Sequence, residues 1–341
     1  MAIELWQEAT LFNIGKYAKA PSHYESTSFL QPKRKKPLNS INPEENTLVS
    51  GLIEGESAAT EQLIRIHQNW MQALAKRMLN DDALAEDCVQ ESFISATQKA
   101  ASFQGHSSLK AWLKRIVINN CLMKLRHQKR RNEINVDDLM PLFDHNDYRL
   151  EPHWHAIKTP EAVLQDHQNS EQILEHINQL PDDYRVVLLL RDIEELSTKE
   201  AAKALECSEG TVKVRLHRAR SALKKMLEPI LSEGQETPSP LMRSIKGKML
   251  RYGPGMITCA EFEQFIDDYL DNNLSRKQII VFERHLKLCR ECRDYLTAYQ
   301  HSITLGKAVF AAGSDDLPVS DEVPADLLEA ILDARRQEKN D

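Results

Sequence analysis

The chain has 341 residues, enough for two or three domains, with 28% charged and only 6% aromatic residues. Its formal net charge of −7 excludes a uniformly basic nucleic-acid coat, but the charge is distributed unevenly. Residues 105–131 contain eight Lys or Arg and no acid, whereas residues 132–171 contain nine acids and two bases. Local basic blocks in an acidic chain indicate a defined nucleic-acid surface.

No segment has the length and hydropathy of a membrane span, and the N-terminus lacks the basic-then-apolar order of a secretory signal. We therefore expect a soluble, cytoplasmic protein without a membrane partner. Six cysteines in such a chain are not a disulfide framework, and three of them crowd into residues 259–292, which indicates metal binding. The sequence contains no catalytic constellation and no phosphate-binding glycine loop, so we do not expect an enzyme.

Weak periodicity and several prolines predict that residues 1–46 are a poorly ordered leader. A first helical domain follows at 47–131. One of its helices opens with a run of five acids and no base: Asp81, Asp82, Glu86, Asp87 and Glu91. The helix dipole favours acids in a first turn and accounts for some of them. A basic protein partner is the second interpretation.

A loop at 102–108 leads into a basic amphipathic helix that begins near Leu109. Cations interleaved with aromatic rings suit single-stranded nucleic acid, because charge follows the backbone while rings stack on bases. Phe103 and Trp112 are the rings in question. They can instead belong to the core, which for Trp112 is at least as good an explanation.

The acidic residues 132–159 lose helical periodicity and predict a linker. Residues 160–228 then form a compact four-helix unit. Within it, Ser197 and Glu200 have the spacing of a capping box, and Ser208 caps a second helix. The second helix has a basic free face, so the pair resembles a helix-turn-helix whose second helix enters a DNA major groove. An ordinary amphipathic hairpin with a solvated basic face is the alternative.

Glycine and proline between residues 229 and 255 predict a second linker. The sequence predicts a small metal-binding domain at 256–310. An acidic tail follows at 311–341 and is long enough for one short helix. The ligand candidates are Cys259, His285, Cys289 and Cys292. A spacing of four places His285 and Cys289 on one helix face. Three thiolates and one imidazole suit a structural zinc ion, and redox sensing by the thiolates is the less favoured alternative.

Segments 82–130 and 174–227 resemble the promoter-melting and promoter-binding domains of extracytoplasmic-function (ECF) sigma factors, in that family's order. Segment 257–296 resembles the zinc-binding anti-sigma domain. The resemblance implies an all-α protein with two small helical sigma domains joined by a flexible linker, followed by a small helical zinc domain. It also implies that core RNA polymerase and promoter DNA are the partners.

Carried over by position, the resemblance assigns four sets of residues. Asp87, Gln90 and Glu91 match the surface that docks on the polymerase clamp helices. Residues 103–108 match the loop that captures a flipped base of the −10 element. The helix that binds the opened non-template strand is matched by Lys114, Arg115, Asn119 and Asn120. Thr211, Lys213, Arg215 and Arg218 match the helix that recognises the −35 element.

We therefore expect a transcription initiation factor that the zinc domain regulates by an intramolecular contact with the sigma domains. Two other classes remain open at this stage. A conventional helix-turn-helix regulator would bind duplex DNA without polymerase, and would not need the acidic and strand-gripping helices at 81–126. An anti-sigma-like interaction protein would carry an inactive sigma-like body.

Overall fold

The structure is a computed structural model that describes residues 43–105, 107–127, 134–151, 153–236, 239–311 and 323–338. The predicted all-α class is confirmed, with fourteen α-helices and one two-stranded sheet among these residues. The leader expected at 1–46 lies, up to residue 42, outside the described part of the chain. Within that part, no helix combines the length and apolar character needed to cross a bilayer.

The N-terminal domain is a bundle of four helices. They are α1 (Pro43–Glu54), α2 (Ser57–Leu79), α3 (Asp82–Gln98) and α4 (Leu109–His127), with a 3₁₀ turn at Ala100–Ser102 before α4. Asp81 caps α3 by accepting a hydrogen bond from the Leu84 amide. Helices α2, α3 and α4 pack against one another around a common apolar core. Cys88 of α3 and Cys121 of α4 meet in this core, with their Sγ atoms 3.2 Å apart.

The second helical unit contains five α-helices and a π-helical turn. They are α5 (Pro160–Leu164), α6 (His167–Gln179), α7 (Asp182–Leu188), the π turn (Leu189–Ile193), α8 (Thr198–Ala204) and α9 (Glu209–Leu231). Helix α9 continues through Pro229, two residues before its end. The predicted linkers on either side contain paired strands: β1 (His153–Ile157) runs antiparallel to β2 (Ser232–Glu236), with Ile157 opposite Ser232.

The C-terminal extension, residues 239–338, contains five more helices. They are α10 (Pro240–Tyr252), α11 (Cys259–Leu270), α12 (Arg276–Leu288), α13 (Arg290–Ala311) and α14 (Ala325–Glu338). Helix α10 lies inside the predicted linker 229–255, and α14 is the helix for which the predicted tail had room. Helices α11 and α12 both begin with a capping box, at Thr258 and Ser275.

The two sigma-like domains pack directly against each other in one hydrophobic core. Val186, Leu189 and Leu190 of the second unit are buried in the core built by α2, α3 and α4. Ile331 of α14 is buried in the same core. Burial of this apolar surface stabilises an arrangement in which both units and the C-terminal helix are in contact, which we call the closed arrangement.

Candidate nucleic-acid interfaces and metal centre

Helices α8 and α9 form the predicted helix-turn-helix. The capping box of Ser197 and Glu200 is present, and the Ser208 side chain caps α9 at the Thr211 amide. Glu206, in the turn between the helices, has a φ of 54°, the left-handed conformation that ends a helix. A small apolar core holds the two helices together: Val187, Ala201, Ala202, Val212 and Leu216.

The predicted DNA-contacting cations of α9 each pair with an acid from a different segment. Lys213 contacts Asp268 of α11 at 2.8 Å. Arg215 contacts an acid of α7 at 2.6 Å, and Arg218 contacts one in the predicted first linker at 3.0 Å; these partners are Asp183 and Asp137. Each of the three predicted DNA-contacting cations of α9 is therefore paired with a carboxylate.

A second face of α9 carries a stripe of bases, two of which contact acids of α11. The bases His217, Arg220 and Lys224 lie three or four residues apart, and so do Glu263, Asp267 and Asp271. His217 Nδ1 lies 3.0 Å from Asp267, and its Nε2 lies 3.3 Å from Glu263. Arg220 contacts Asp267 at 2.5 Å and also pairs with Asp192 of the π turn. We call this set of residues the α9–α11 charge network.

His217 and Glu263 of the charge network are charged although they are buried. Burial alone would favour neutral His217, but its bonds to Asp267 and Glu263 raise its pKa to about 9. Burial opposes ionisation of Glu263 as well, yet Arg149 and His217 lower its pKa to about 2. The Arg149 guanidinium is buried 3.7 Å from the Tyr295 ring centre and pairs with Glu263. Removing one member would leave a buried charge without compensation.

Helix α13 contributes tyrosine hydroxyls to the same network. Tyr295 Oη donates to Glu263 at 2.9 Å, and Tyr299 Oη donates to Asp267 at 2.9 Å. The Lys224 ammonium lies 4.1 Å from the Tyr295 ring centre and pairs with Glu228. The zinc-domain helices α11 and α13 are thus both held against α9 by charged and polar contacts.

The predicted strand-gripping residues of α4 differ in their surroundings. Lys114 pairs at 2.6 Å with Glu194, at the end of the π turn in the second unit. Asn120 donates to Ser92 Oγ at 3.0 Å and so faces α3. The side chains of Arg115 and Asn119 are exposed to solvent. Part of the predicted strand surface is therefore open, and part joins the two domains.

Phe103 and Trp112 form an edge-to-face pair with ring centres 5.5 Å apart. Both rings are half-buried and pack on the first hydrophobic core. In the closed arrangement these rings belong to the edge of the core, which is the alternative that the sequence left open.

The predicted polymerase-docking residues lie on α3. Asp87 and Glu91 are exposed and Gln90 is half-buried, while Glu91 pairs with Lys124 of α4 at 2.9 Å. Helix α14 packs against α2 and α3. The C-terminal helix therefore contacts the same helix that carries the predicted docking surface.

The four predicted metal ligands meet in one buried cluster, and their ligand atoms all lie within 4.8 Å of one another. Cys259 begins α11, His285 is in the last turn of α12, Cys289 ends α12 and Cys292 is in the first turn of α13. The Sγ atoms of Cys259 and Cys289 are 3.8 Å apart. Two thiolates bound at about 2.3 Å to one tetrahedral zinc ion have nearly this separation.

His285 is prepared to act as a neutral ligand. Its Nδ1 donates to the Ile257 carbonyl at 2.9 Å, which leaves Nε2 as the ligand atom. Nε2 is buried and has no hydrogen-bond partner within the described structure. Burial lowers the pKa of His285 to about 4, so the ring is uncharged at neutral pH. This donor set and its orphaned nitrogen fit a zinc ion.

The sequence did not single out the acids of α11, which contact α9 and the π turn. Glu263, Asp267 and Asp271 recur every four residues, which places them on one helix face. The basic stripe of α9, with spacings of three and four residues, was also visible in the sequence. Comparing the two stripes could have suggested the contact.

Three family models match the chain in order. "Sigma-70 region 2" matches residues 63–131, "Sigma-70, region 4" matches 170–223, and "Putative zinc-finger" matches 259–293. RNA polymerase sigma-H factor of Pseudomonas aeruginosa is 32% identical over 193 residues, which are 56% of this chain and 97% of that protein. ECF RNA polymerase sigma-E factor of Haemophilus influenzae is 31% identical over 187 residues, 55% of this chain and 97% of that protein.

One solved structure with similarity is the sigma factor RpoE of Bartonella quintana in complex with the anti-sigma factor NepR. It is 28% identical and has a TM-score of 0.33, covering 49% of this chain and 93% of that chain.

The fold and the matches together define a sigma-70-type transcription initiation factor with regions 2 and 4 and a zinc-finger-type extension. The chain belongs to the ECF RNA polymerase sigma factors and functions in transcription initiation directed by RNA polymerase.

Proposed function

We propose that this sigma factor joins core RNA polymerase, opens promoter DNA, and is held inactive by its own C-terminal extension. The observation that carries the proposal is the pairing of the α9 bases with the acids of α11. Carboxylates in those positions compete with DNA phosphates for the same cations. Such a protein works in the cytoplasm, as the sequence led us to expect, and its action involves no covalent step.

Promoter opening requires the closed arrangement to open. The −10 and −35 elements are separate stretches of the promoter, and B-form DNA rises about 3.4 Å per base pair. Lys114 of the first domain and Glu194 of the second are in contact at 2.6 Å. The two domains must therefore separate before α4 and α9 can bind both elements. Energy for melting would come from binding of flipped, unstacked bases.

In the open form, α9 places Thr211, Lys213, Arg215 and Arg218 in the major groove of the −35 element. The exposed face of α4, with Arg115 and Asn119, contacts the opened strand, joined by Lys114 and Asn120 once their present partners are released. Phe103 and Trp112 would then leave the core edge to contact bases. Asp87, Gln90 and Glu91 of α3 dock on the polymerase.

The extension would restrain the protein at two places. Helix α11 covers α9, and α14 covers part of the domain that carries α3. At the second place, Arg335 donates to the Ile53 carbonyl of α1 at 3.1 Å. A zinc ion held by Cys259, His285, Cys289 and Cys292 would tie the ends of α11, α12 and α13 together. Its role is structural, because it orients the acidic stripe toward α9.

The restraint is tested by neutralising two half-buried acids at the end of α11 in the full chain. Asp268→Ala with Asp271→Ala removes the partners of Lys213 and Arg191 without entering the core. We expect tighter binding of a −35 duplex and more open complex with core polymerase, measured by fluorescence anisotropy and permanganate footprinting. Glu283→Ala, an exposed acid of α12, is the matched control and should change neither quantity.

Unchanged or weaker duplex binding by the double variant would contradict the restraint. Duplex binding without any association with core polymerase would instead indicate a conventional helix-turn-helix regulator. Pulling down core polymerase with the full chain, before and after the substitution, separates these outcomes.

A further inference from the structure

Helix α10 exposes a continuous apolar stripe that no described segment covers. Its members occupy one arc of about 100° when successive residues are placed about 100° apart around the helix. They and their exposed fractions are Leu241 (72%), Met242 (48%), Ile245 (56%), Met249 (44%) and Tyr252 (75%). Single exposed apolar residues are ordinary, but five in one stripe on a short helix indicate a binding surface.

The opposite face of α10 fixes the stripe in its outward position. Gly247 lies so close to the loop before β1 that an added Cβ would meet Asn146 at 3.0 Å and Tyr148 at 3.2 Å. Leu250 is buried in the hydrophobic core of the zinc domain. Ser239 caps the first turn by accepting from the Met242 amide. The helix is thus docked by one face and displays the other.

The charges of α10 are all positive. The helix contains four cations and no acid: Arg243, Lys246, Lys248 and Arg251. Lys246 and Lys248 border the apolar stripe on its two sides, by the same angular spacing. Lys246 reaches Glu291 at 3.4 Å and Arg251 reaches Asp147 at 3.1 Å, whereas Lys248 is exposed. The partner of the stripe should therefore be apolar and anionic.

Two features distinguish among possible partners. A second copy of α10 would bring like charges together along the stripe borders, which disfavours self-association. The stripe is a convex ridge of long, adaptable side chains, with an exposed tyrosine at its C-terminal end. A ridge without a groove suits a deformable apolar surface, and tyrosine is favoured at membrane–water interfaces.

We propose that α10 binds the surface of an anionic membrane, with its apolar stripe among the acyl chains and Lys246 and Lys248 at the headgroups. Short basic amphipathic helices bind in this way, parallel to the bilayer. Such peripheral binding differs from our expectation of no membrane partner, which rested on the lack of a spanning segment. It would bring the closed sigma factor to the membrane through the zinc domain.

The test uses the full chain and sedimentation with vesicles. Phosphatidylcholine vesicles are compared with vesicles that also contain phosphatidylglycerol. We expect binding to the anionic vesicles that weakens as salt is raised. Ile245→Ser should weaken it about tenfold, because one large apolar side chain no longer leaves water. Leu142→Ser, at an exposed apolar position outside α10, is the matched control and should bind like the unchanged chain.

Lys248→Glu should weaken binding to the anionic vesicles without altering the far-ultraviolet circular dichroism. Several outcomes would overturn the proposal. They are no sedimentation with anionic vesicles, equal sedimentation of Ile245→Ser, or an effect of Ile245→Ser only on self-association or on binding to core polymerase. Equilibrium sedimentation and polymerase pull-down measure the last two.

Discussion

The two helices proposed to bind nucleic acid, α9 and α4, are covered by the rest of the protein to different extents. Helix α9 has its cations paired with acids and lies against α11 and α13 of the extension. Helix α4 keeps Arg115 and Asn119 exposed, and its Lys114 pairs with the second sigma domain rather than with the extension. Under the proposed function, this difference predicts that the extension restrains duplex binding by α9, whereas packing between the two sigma domains restrains strand binding by α4.

A variant that lacks one metal ligand should give the largest effect on this difference between α9 and α4. Structural zinc contributes about 10–16 kcal/mol to folding of small zinc domains. Cys289→Ser removes one thiolate from the buried cluster, so we expect loss of bound zinc and loss of order in α11. Duplex binding by α9 should rise while single-strand binding by α4 changes little. Mass spectrometry of bound metal and anisotropy with each DNA measure these effects.

Cys207→Ser is the control for this variant, because Cys207 lies outside the metal cluster. It should retain zinc. Full zinc content in Cys289→Ser would contradict the ligand assignment. Equal gains in duplex and single-strand binding would contradict the selective effect on α9.

Breaking the charge network should give the next largest effect. Glu263→Gln leaves Arg149, a fully buried cation, without its main carboxylate partner. Removing one member of a buried ion pair costs about 3–5 kcal/mol, so the free energy of unfolding should fall by about that amount. Asp268→Asn breaks the exposed pair with Lys213 and should cost less than about 1 kcal/mol. Urea unfolding of both variants measures the two losses of unfolding free energy. Similar losses would show that burial does not determine how much each ion pair contributes to stability.

Titration of His217 should give a smaller, pH-dependent effect. Its pKa is raised from 6.5 to about 9 in the folded protein, since its bonds to Asp267 and Glu263 outweigh burial. The folded state therefore holds a proton that the unfolded state releases. This stabilisation is complete below about pH 6.5 and is lost as pH rises through about 9, amounting to at most about 3 kcal/mol.

Urea unfolding at several pH values between 6.5 and 9 measures this loss. The other charged groups around the ring, Arg220, Asp267 and Glu263, keep their charges over this range, because the pKa of Arg220 is raised and those of the two acids are lowered. His217→Gln should therefore flatten the dependence. If the free energy of unfolding fell with pH as steeply in this variant as in the unchanged chain, a group other than His217 would be responsible for the loss.

Local signals predicted the helices and the four residues that form the candidate metal cluster. Ser197, Glu200 and Ser208 act within one turn of chain, and His285 and Cys289 lie one turn apart at the end of α12. Such features depend on neighbours in sequence. The fold class and the four-residue metal cluster were therefore accessible before any tertiary structure was known.

Long-range contacts were not accessible in the same way. The pairing of Lys114 with Glu194 joins residues far apart in the chain, and nothing local to either residue specifies the other. Helix α10 was assigned to a linker because prolines and glycines surround it. Pro240 stands at its first turn, where the missing amide costs nothing, and Gly247 permits its close docking.

The finest test of the comparison uses single phosphate-binding cations. Arg115→Ala should weaken single-strand binding by the full chain, because this α4 residue is already exposed. Lys213→Ala should change duplex binding little in the full chain, because Asp268 already neutralises that α9 cation. In the Asp268→Ala background, Lys213→Ala should weaken duplex binding and lower the salt slope by about 1. Anisotropy titrations at several salt concentrations provide both quantities.

The double-mutant cycle of Lys213 and Asp268 isolates their coupling in DNA binding. If α11 controls α9, the effect of Lys213→Ala must depend on whether Asp268 is present. Arg115→Ala must act to the same extent in either background, because no contact joins α4 to Asp268 in the described structure. Independence at Lys213, or dependence at Arg115, would mean that the extension does not distinguish between the two helices.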